Sequence, residues 1–200
     1  MQNRSDLILL HGAIGNKEQL DELALELEAN FKIYRFDFPG HGDKAYQISE
    51  FSLHNFVNYL RNFILKNELN NPAVFGYSMG RYVALTLESY SKTFSNIMTL
   101  NTKFKWGIET AEREKKMFIP EKIEKKVPHF AKKLKQMHGE NNWKRLLEYH
   151  RGMMDDISSE NVLNSRLLSS INTKVLITRS ENDEMVTREE SLNVLNQIKK

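Results

Sequence analysis

A chain of 200 residues, 40% hydrophobic and 28% charged, has room for one domain with a sizeable core and an insertion. It has no cysteine, which excludes disulfides, thiolate metal sites and a cysteine nucleophile and suits a cytoplasmic protein. No apolar run is long enough to cross a bilayer, and the net charge of +3 is unevenly spread, with 14 Lys/Arg against 7 Asp/Glu in residues 103–151 and a net acidic remainder.

The first predicted element is a buried strand, Asp6–Leu10; its four apolar residues are too few for a signal-peptide core. It runs into His11-Gly12-Ala13-Ile14-Gly15. Glycines there let the loop fold back and offer a backbone amide, that of Ala13, as an oxyanion donor. His11 reads as a packing residue beneath this loop. Residues 16–29 carry Leu20, Leu23, Ala24 and Leu27 at helical spacing, with Asn16 and Gln19 as a capping pair. A second strand, Lys32–Phe36, ends in Asp37-Phe38-Pro39-Gly40-His41-Gly42-Asp43, a tight loop that His41 would order. A helix over 52–67 follows, with Phe56, Leu60, Phe63 and Ile64 on one face.

The third strand, Pro72–Phe75, leads directly into Gly76-Tyr77-Ser78-Met79-Gly80 and a helical run. This is G-x-S-x-G in a strand–turn–helix setting. The serine of such a turn is strained, so the residues two away must be small for strand and helix to approach. The helix N-terminus favours negative charge, and the amide of Met79 points where an oxyanion would form. Ser78 is therefore the candidate nucleophile.

A fourth strand, Ser95–Leu100, precedes an interval, 103–171, that is all helical by pattern. Pro128 opens one helix with Phe130, Leu134 and Met137 on a face. Trp143, Leu146, Leu147 and His150 mark a second, and Val162, Leu163, Leu167 and Leu168 a third. The interval is expected to be a cap over the sheet's C-terminal edge. Phe104, Trp106, Trp143, Met153 and Met154 are candidates for an acyl pocket or for the cap's own core. Lys125, Lys126, Lys132, Lys133 and Lys135 read as a water-facing set, the alternative being attraction of an anionic substrate such as an acid, phosphate or coenzyme-A ester. They lack interleaved aromatics, so nucleic acid is not an expected partner. No membrane partner is expected either.

The fifth strand, Lys174–Thr178, ends in Arg179-Ser180-Glu181-Asn182-Asp183. A carboxylate there could orient a histidine serving Ser78; Asp183 is the choice, with Glu181 and Glu184 as neighbours that could serve. The plainer alternative is a solvated acidic turn before a last helix, which Thr187-x-x-Glu190 opens as a capping box. Strands alternating with helices make the class α/β with a parallel sheet. Histidines and carboxylates lack metal-ligand spacing, so no metal and no cofactor are expected.

These four loops, in this order, resemble the α/β-hydrolase superfamily, more narrowly its small esterase-like members with a helical cap, and the likeness runs over almost the whole chain. The resemblance implies one domain over 1–200 with 103–171 as the cap, and a doubly wound, mostly parallel sheet of five strands in the order 2-1-3-4-5. It implies an acyl-enzyme at Ser78, with the amides of Ala13 and Met79 holding the oxyanion and Asp183 as the triad acid. The substrate would be a small carboxylic ester or thioester. It also implies a further strand and a catalytic histidine after the Asp-bearing strand. Residues 184–200 contain no histidine, and His11, His41, His54, His129, His138 and His150 all precede Asp183. The sequence is thus expected to be a truncated or degenerate hydrolase with an unpaired fifth strand. The alternative function is a non-catalytic protein that binds a ligand or partner on this scaffold. A cap histidine, His138 or His150, would have to swing inward to replace the base.

Overall fold

The computed structural model describes residues 4–48, 50–160, 162–183 and 185–198. Five strands, β1 (Ser5–Leu10), β2 (Phe31–Arg35), β3 (Ala73–Tyr77), β4 (Asn96–Leu100) and β5 (Lys174–Thr178), pair in parallel in the order β2-β1-β3-β4-β5. This is the α/β architecture expected from the alternation of elements and the strand order that the family resemblance implies. Leu10 lies beside Gly76, and Leu100 lies beside both Tyr77 and Thr178. The loops after β1, β3, β4 and β5 therefore meet at one edge of the sheet, where ligands of open α/β sheets bind.

The central strands are apolar on both faces because both are covered. On one face α2 (Leu53–Lys66) and α3 (Met79–Tyr90) bury Phe56, Leu60, Val83 and Leu87 against Ile8, Leu10, Val74 and Ile97. On the other, α1 (Asp21–Leu27) sets Ala24 beside Leu20, Leu7, Leu9 and Phe75. Each such Leu, Ile, Val or Phe side chain removed from water contributes roughly 1.5–3 kcal/mol. Met98 and Leu176, on β4 and β5, stay 42% and 54% exposed.

The helix expected over 16–29 is shorter. Residues Lys17–Leu20 form a 3-10 turn, and Asn16 makes no side-chain cap. The Asn16 amide turns to Glu18, while the Gln19 Oε1 accepts the Gly12 N–H at 2.9 Å, so the pair serves the loop after β1 instead. The helix expected over 52–67 does begin at a cap: Ser52 Oγ accepts the Asn55 N–H at 3.1 Å.

Between β4 and β5 lie α4 (Ile108–Lys115), α5 (Pro120–Lys126), α6 (Pro128–His138), α7 (Asn142–Glu160) and α8 (Ser165–Ser170). Pro120 and Pro128 each occupy a first turn, where a missing N–H costs nothing. These helices have a core of their own: Ala111, Phe118, Ile123, Ala131, Leu134, Trp143, Leu147 and Met154. Lys125, Lys126, Lys132 and Lys133 are exposed, and Lys135 pairs with Glu140 at 2.8 Å. The last helix, α9 (Arg188–Leu195), starts at Thr187, whose Oγ1 accepts the Glu190 N–H at 3.1 Å. The other half of the capping box is absent, because the Glu190 carboxylate accepts the amides of Phe104 and Lys105 instead. Among the described residues no helix is long and apolar enough to cross a membrane.

Candidate active site

Ser78 sits between β3 and α3 with φ +48° and ψ −112°, a conformation that L side chains rarely adopt. The turn is held on both sides: the Ser78 N–H donates to Leu100 O at 2.9 Å, and Thr102 Oγ1 donates to Ser78 O at 2.8 Å. The two flanking glycines allow it. A Cβ on Gly76 would run into the backbone of Arg81, and one on Gly80 would lie 2.6 Å from the Leu10 carbonyl. Met79 is the first residue of α3, which has no side-chain cap. Its amide belongs to the orphan donors of a helix start.

Facing Ser78 is the turn Gly12–Gly15, closed by the Gly15 N–H on Gly12 O at 3.1 Å. Among the described residues the Ala13 amide donates to no protein acceptor. Three consecutive carbonyls of this turn are each met by a histidine. His11 Nδ1 lies 2.8 Å from Gly12 O, His41 Nε2 lies 2.6 Å from Ala13 O, and His138 Nε2 lies 3.1 Å from Ile14 O. We assign the tautomers from the partners. His11 accepts the Phe38 N–H on Nε2 at 3.1 Å, so its proton is on Nδ1. His138 accepts the Gly42 N–H on Nδ1 at 3.1 Å, so its proton is on Nε2. Both nitrogens of His41 face carbonyls, Nδ1 that of Pro39 at 3.1 Å and Nε2 that of Ala13 at 2.6 Å, and the single proton of the neutral ring is assigned to Nε2, the nearer. That same nitrogen is 3.0 Å from His150 Nε2, which is then an acceptor, and His150 Nδ1 is buried without a partner.

All four histidines are held neutral. Burial pushes His11 down to about 3, with the carbonyl of Gly12 opposing. Burial likewise holds His41 and His150 well below the usual imidazole range, each further lowered by a neighbouring histidine. His138 is lowered by burial as well, against the carbonyl of Ile14 and the charge of Asp37. Neither His11 nor His41 is free to carry protons to a substrate, since both order the loops around them.

Two cavities open on Ser78. The larger, about 530 Å³, lies between the Gly12–Gln19 segment and Met117, Phe118, Phe130, Lys133 and Met137 of the insertion. The smaller, about 80 Å³, shares Ala13 and Ser78 with it and is walled by Met79, Tyr82, Trp106, His150, Met153 and Met154. Phe104 and Trp143, candidates for the same wall, line neither cavity. Phe104 lies under the Arg81 guanidinium at 4.4 Å, and Trp143 belongs to the insertion core.

Asp183 follows β5, but its Oδ1 accepts the amides of Met185 and Val186, each at 2.8 Å. Among the described residues no histidine bonds to Asp183, and none bonds to Ser78 Oγ. Glu181 is exposed, and Glu184 lies outside the described residues. Among the described residues there is also no cluster of three or more side chains fit to hold a metal ion. The structure thus joins Ser78, Met79 and Ala13 in one place and leaves Asp183 occupied by its own turn. Sequence reasoning missed the convergence of His138 and His150 on the Gly12–Gly15 turn, because no local spacing relates α6 and α7 to β1.

Known proteins share this fold. The chain is 30% identical over 86 residues to "Putative esterase/lipase 2" of Mycoplasma genitalium, a match covering 42% of the chain and 32% of that protein. The matched stretch therefore spans about a third of the length of that curated relative. Among solved structures it superposes on a "putative lipase (lip1)" of Acinetobacter baumannii with a TM-score of 0.80 at 16% identity, covering 100% of this chain and 74% of the other. A carboxylesterase structure from Nitrososphaera gargenis matches with a TM-score of 0.75 at 15% identity, covering 98% and 80%. At such identities the likeness speaks for the fold. A family model for the alpha/beta hydrolase fold matches residues 7–155, so the chain belongs to that family.

Proposed function

We propose that the chain is a serine hydrolase acting on a small carboxylic ester or thioester through an acyl-enzyme at Ser78. The observation that supports it most is the strained turn that presents Ser78 to two cavities, opposite an unpartnered Ala13 amide and beside the first amide of α3. In this reading Ser78 Oγ attacks the carbonyl carbon as its proton passes to a base, and the alcohol or thiol leaves with a proton. Water then attacks the acyl-enzyme, the acid departs and the serine is restored. The negative oxygen of each tetrahedral intermediate accepts from the Ala13 and Met79 amides, donors already in place that need no reorganisation. Esterase and lipase names among the relatives fit this reading. Asp183 would act by orienting a histidine. Lys133 at the mouth of the larger cavity would favour an acid-bearing ester.

The test is hydrolysis of a short-chain aryl ester by the chain and by Ser78→Ala, with rapid labelling of Ser78 by a fluorophosphonate as a second readout. Turnover lost in Ser78→Ala supports the acyl-enzyme. Turnover equal in both, with no label on Ser78, overturns it. A second reading is favoured by one specific observation: no described histidine bonds to Ser78 Oγ or Asp183. On that reading the same cavities bind an ester-like ligand without cleaving it, and saturable binding without turnover would identify it.

A further inference from the structure

His138 reaches from the insertion to the turn that carries the proposed oxyanion donor. It is 1% exposed, and both of its nitrogens are committed to backbone: Nε2–H to Ile14 O at 3.1 Å, and Nδ1 to the Gly42 N–H at 3.1 Å. It thus bolts two loops of the sheet edge together from a helix that belongs to neither.

The consequence follows from peptide geometry. In a trans peptide the C=O and the next N–H point in opposite directions. Fixing the Ile14 carbonyl therefore fixes the direction of the Gly15 N–H, which donates to Gly12 O. Fixing Gly12 O, which His11 Nδ1 also grips, aims the Ala13 N–H the opposite way. His138 is the one of the three gripping histidines that comes from the insertion, and the wall of the larger cavity includes Phe130, Lys133 and Met137 of its own helix. We propose that His138 is a positioning residue: seated on the Gly12–Gly15 turn, it aims the Ala13 amide at the substrate oxyanion, so that the donor is in register only when α6 is docked. This rests on the reading of Ala13 as an oxyanion donor. His138 does not touch the reacting atoms.

The experiment compares the parent chain with His138→Phe and His138→Gln. Phenylalanine keeps the bulk and loses both bonds; glutamine can place an N–H where Nε2 stood. A misaimed oxyanion donor weakens the transition state more than the ground state. The expected result for His138→Phe is a kcat lower by roughly 10–100-fold with KM within about twofold, partly restored in His138→Gln. A folded His138→Phe with parental kcat, or with the loss confined to KM, overturns the proposal. Amide hydrogen exchange is read in parallel, independently of turnover. Exchange at Gly15 should quicken at least tenfold in His138→Phe while amides of β1 and β3 stay unchanged. Unchanged Gly15 exchange overturns the positioning role even if the chain proves not to hydrolyse esters. Failure of the acyl-enzyme reading would show separately, as parent turnover that Ser78→Ala leaves intact.

Discussion

His41 and His150 meet Nε2 to Nε2 at 3.0 Å, with both rings closed off from solvent. One belongs to the loop after β2 and the other to α7, 109 residues later in the chain. With His11 and His138 they form a neutral imidazole array between sheet and insertion, tilted or edge-on to His41 at centroid distances of 4.9 to 6.0 Å. Among the described residues Asp37 is the one charged group that favours a proton within the array, at His138, and the carbonyls of Gly12, Ala13, Ile14 and Pro39 oppose the lowering without overcoming burial. The other facing titratable groups are the histidines themselves.

Such an array makes the fold acid-sensitive. In the folded state these pKa values lie below the unfolded value of 6.5, and that of His11 lies at about 3. Between those limits the unfolded chain binds more protons, so stability is complete above about pH 6.5 and falls as pH drops. Each withheld proton costs about 1.4 kcal/mol per pH unit. The melting temperature should therefore be level from pH 8 to 7 and fall steeply from pH 6.5 to 5. A flat profile down to pH 5 would contradict the neutral array.

Backbone strain at Ser78 gives a second expectation. Ser78→Ala and Ser78→Gly both lose the hydroxyl, but only glycine relaxes φ +48° with ψ −112°. Such strain costs roughly 1–3 kcal/mol, offset by roughly 0.5–1 kcal/mol of extra chain entropy for glycine. Chemical denaturation should find Ser78→Gly more stable than Ser78→Ala by about 1 kcal/mol. A Ser78→Gly variant less stable than Ser78→Ala would mean that the turn is not strained.

Much of this was legible in the sequence because it is local. Strand–loop–helix punctuation around Gly12 and Gly76 marked the strands and singled out Ser78, Met79 and Ala13, while the strand order came from the family resemblance. The insertion's lysines, read as water-facing, are exposed at four of five positions. What was not legible is contact between segments distant in sequence. The histidine array joins β1, the loop after β2, α6 and α7, and a lone histidine on a helix looks the same whether it meets water or a carbonyl. Gln19 looked like a capping partner of Asn16, yet the Gly12 amide outcompetes that role. Trp143 and Phe104 had the right chemistry for an acyl wall, but tertiary packing placed them elsewhere.

Glu190 is the clearest case of a residue whose apparent role was too small. It is 9% exposed and accepts the Phe104 and Lys105 amides. Its charge also favours the protonated form of Arg81, which burial pushes down. Arg81 is fully buried with Nε and Nη1 unpartnered. Glu190→Ala would strand two amides and leave the guanidinium uncompensated, a loss of about 3 kcal/mol. Glu190→Gln can still accept one of the amides and should lose less. Urea midpoints of the two variants measure the difference; a loss under about 1 kcal/mol in Glu190→Ala would show that this carboxylate does not anchor α9.

The smaller cavity sets the last expectation, which concerns chain length in the proposed substrate. Met153 is 4% exposed and lies with Trp106 and Met154 on its wall. Truncating it removes three heavy atoms from a mainly apolar wall, room for about two methylenes worth roughly 0.8 kcal/mol each. If the acyl group occupies this cavity, Met153→Ala should raise kcat/KM for a hexanoyl aryl ester relative to a butyryl one by about tenfold. The methionine also supports the core, so the comparison is made between two esters on the same folded variant, which cancels any loss of active protein. An unchanged ratio would place the acyl chain in the larger cavity, against Phe130 and Met137. It would leave the smaller one to His150, whose unpartnered Nδ1 could then hold a single polar group.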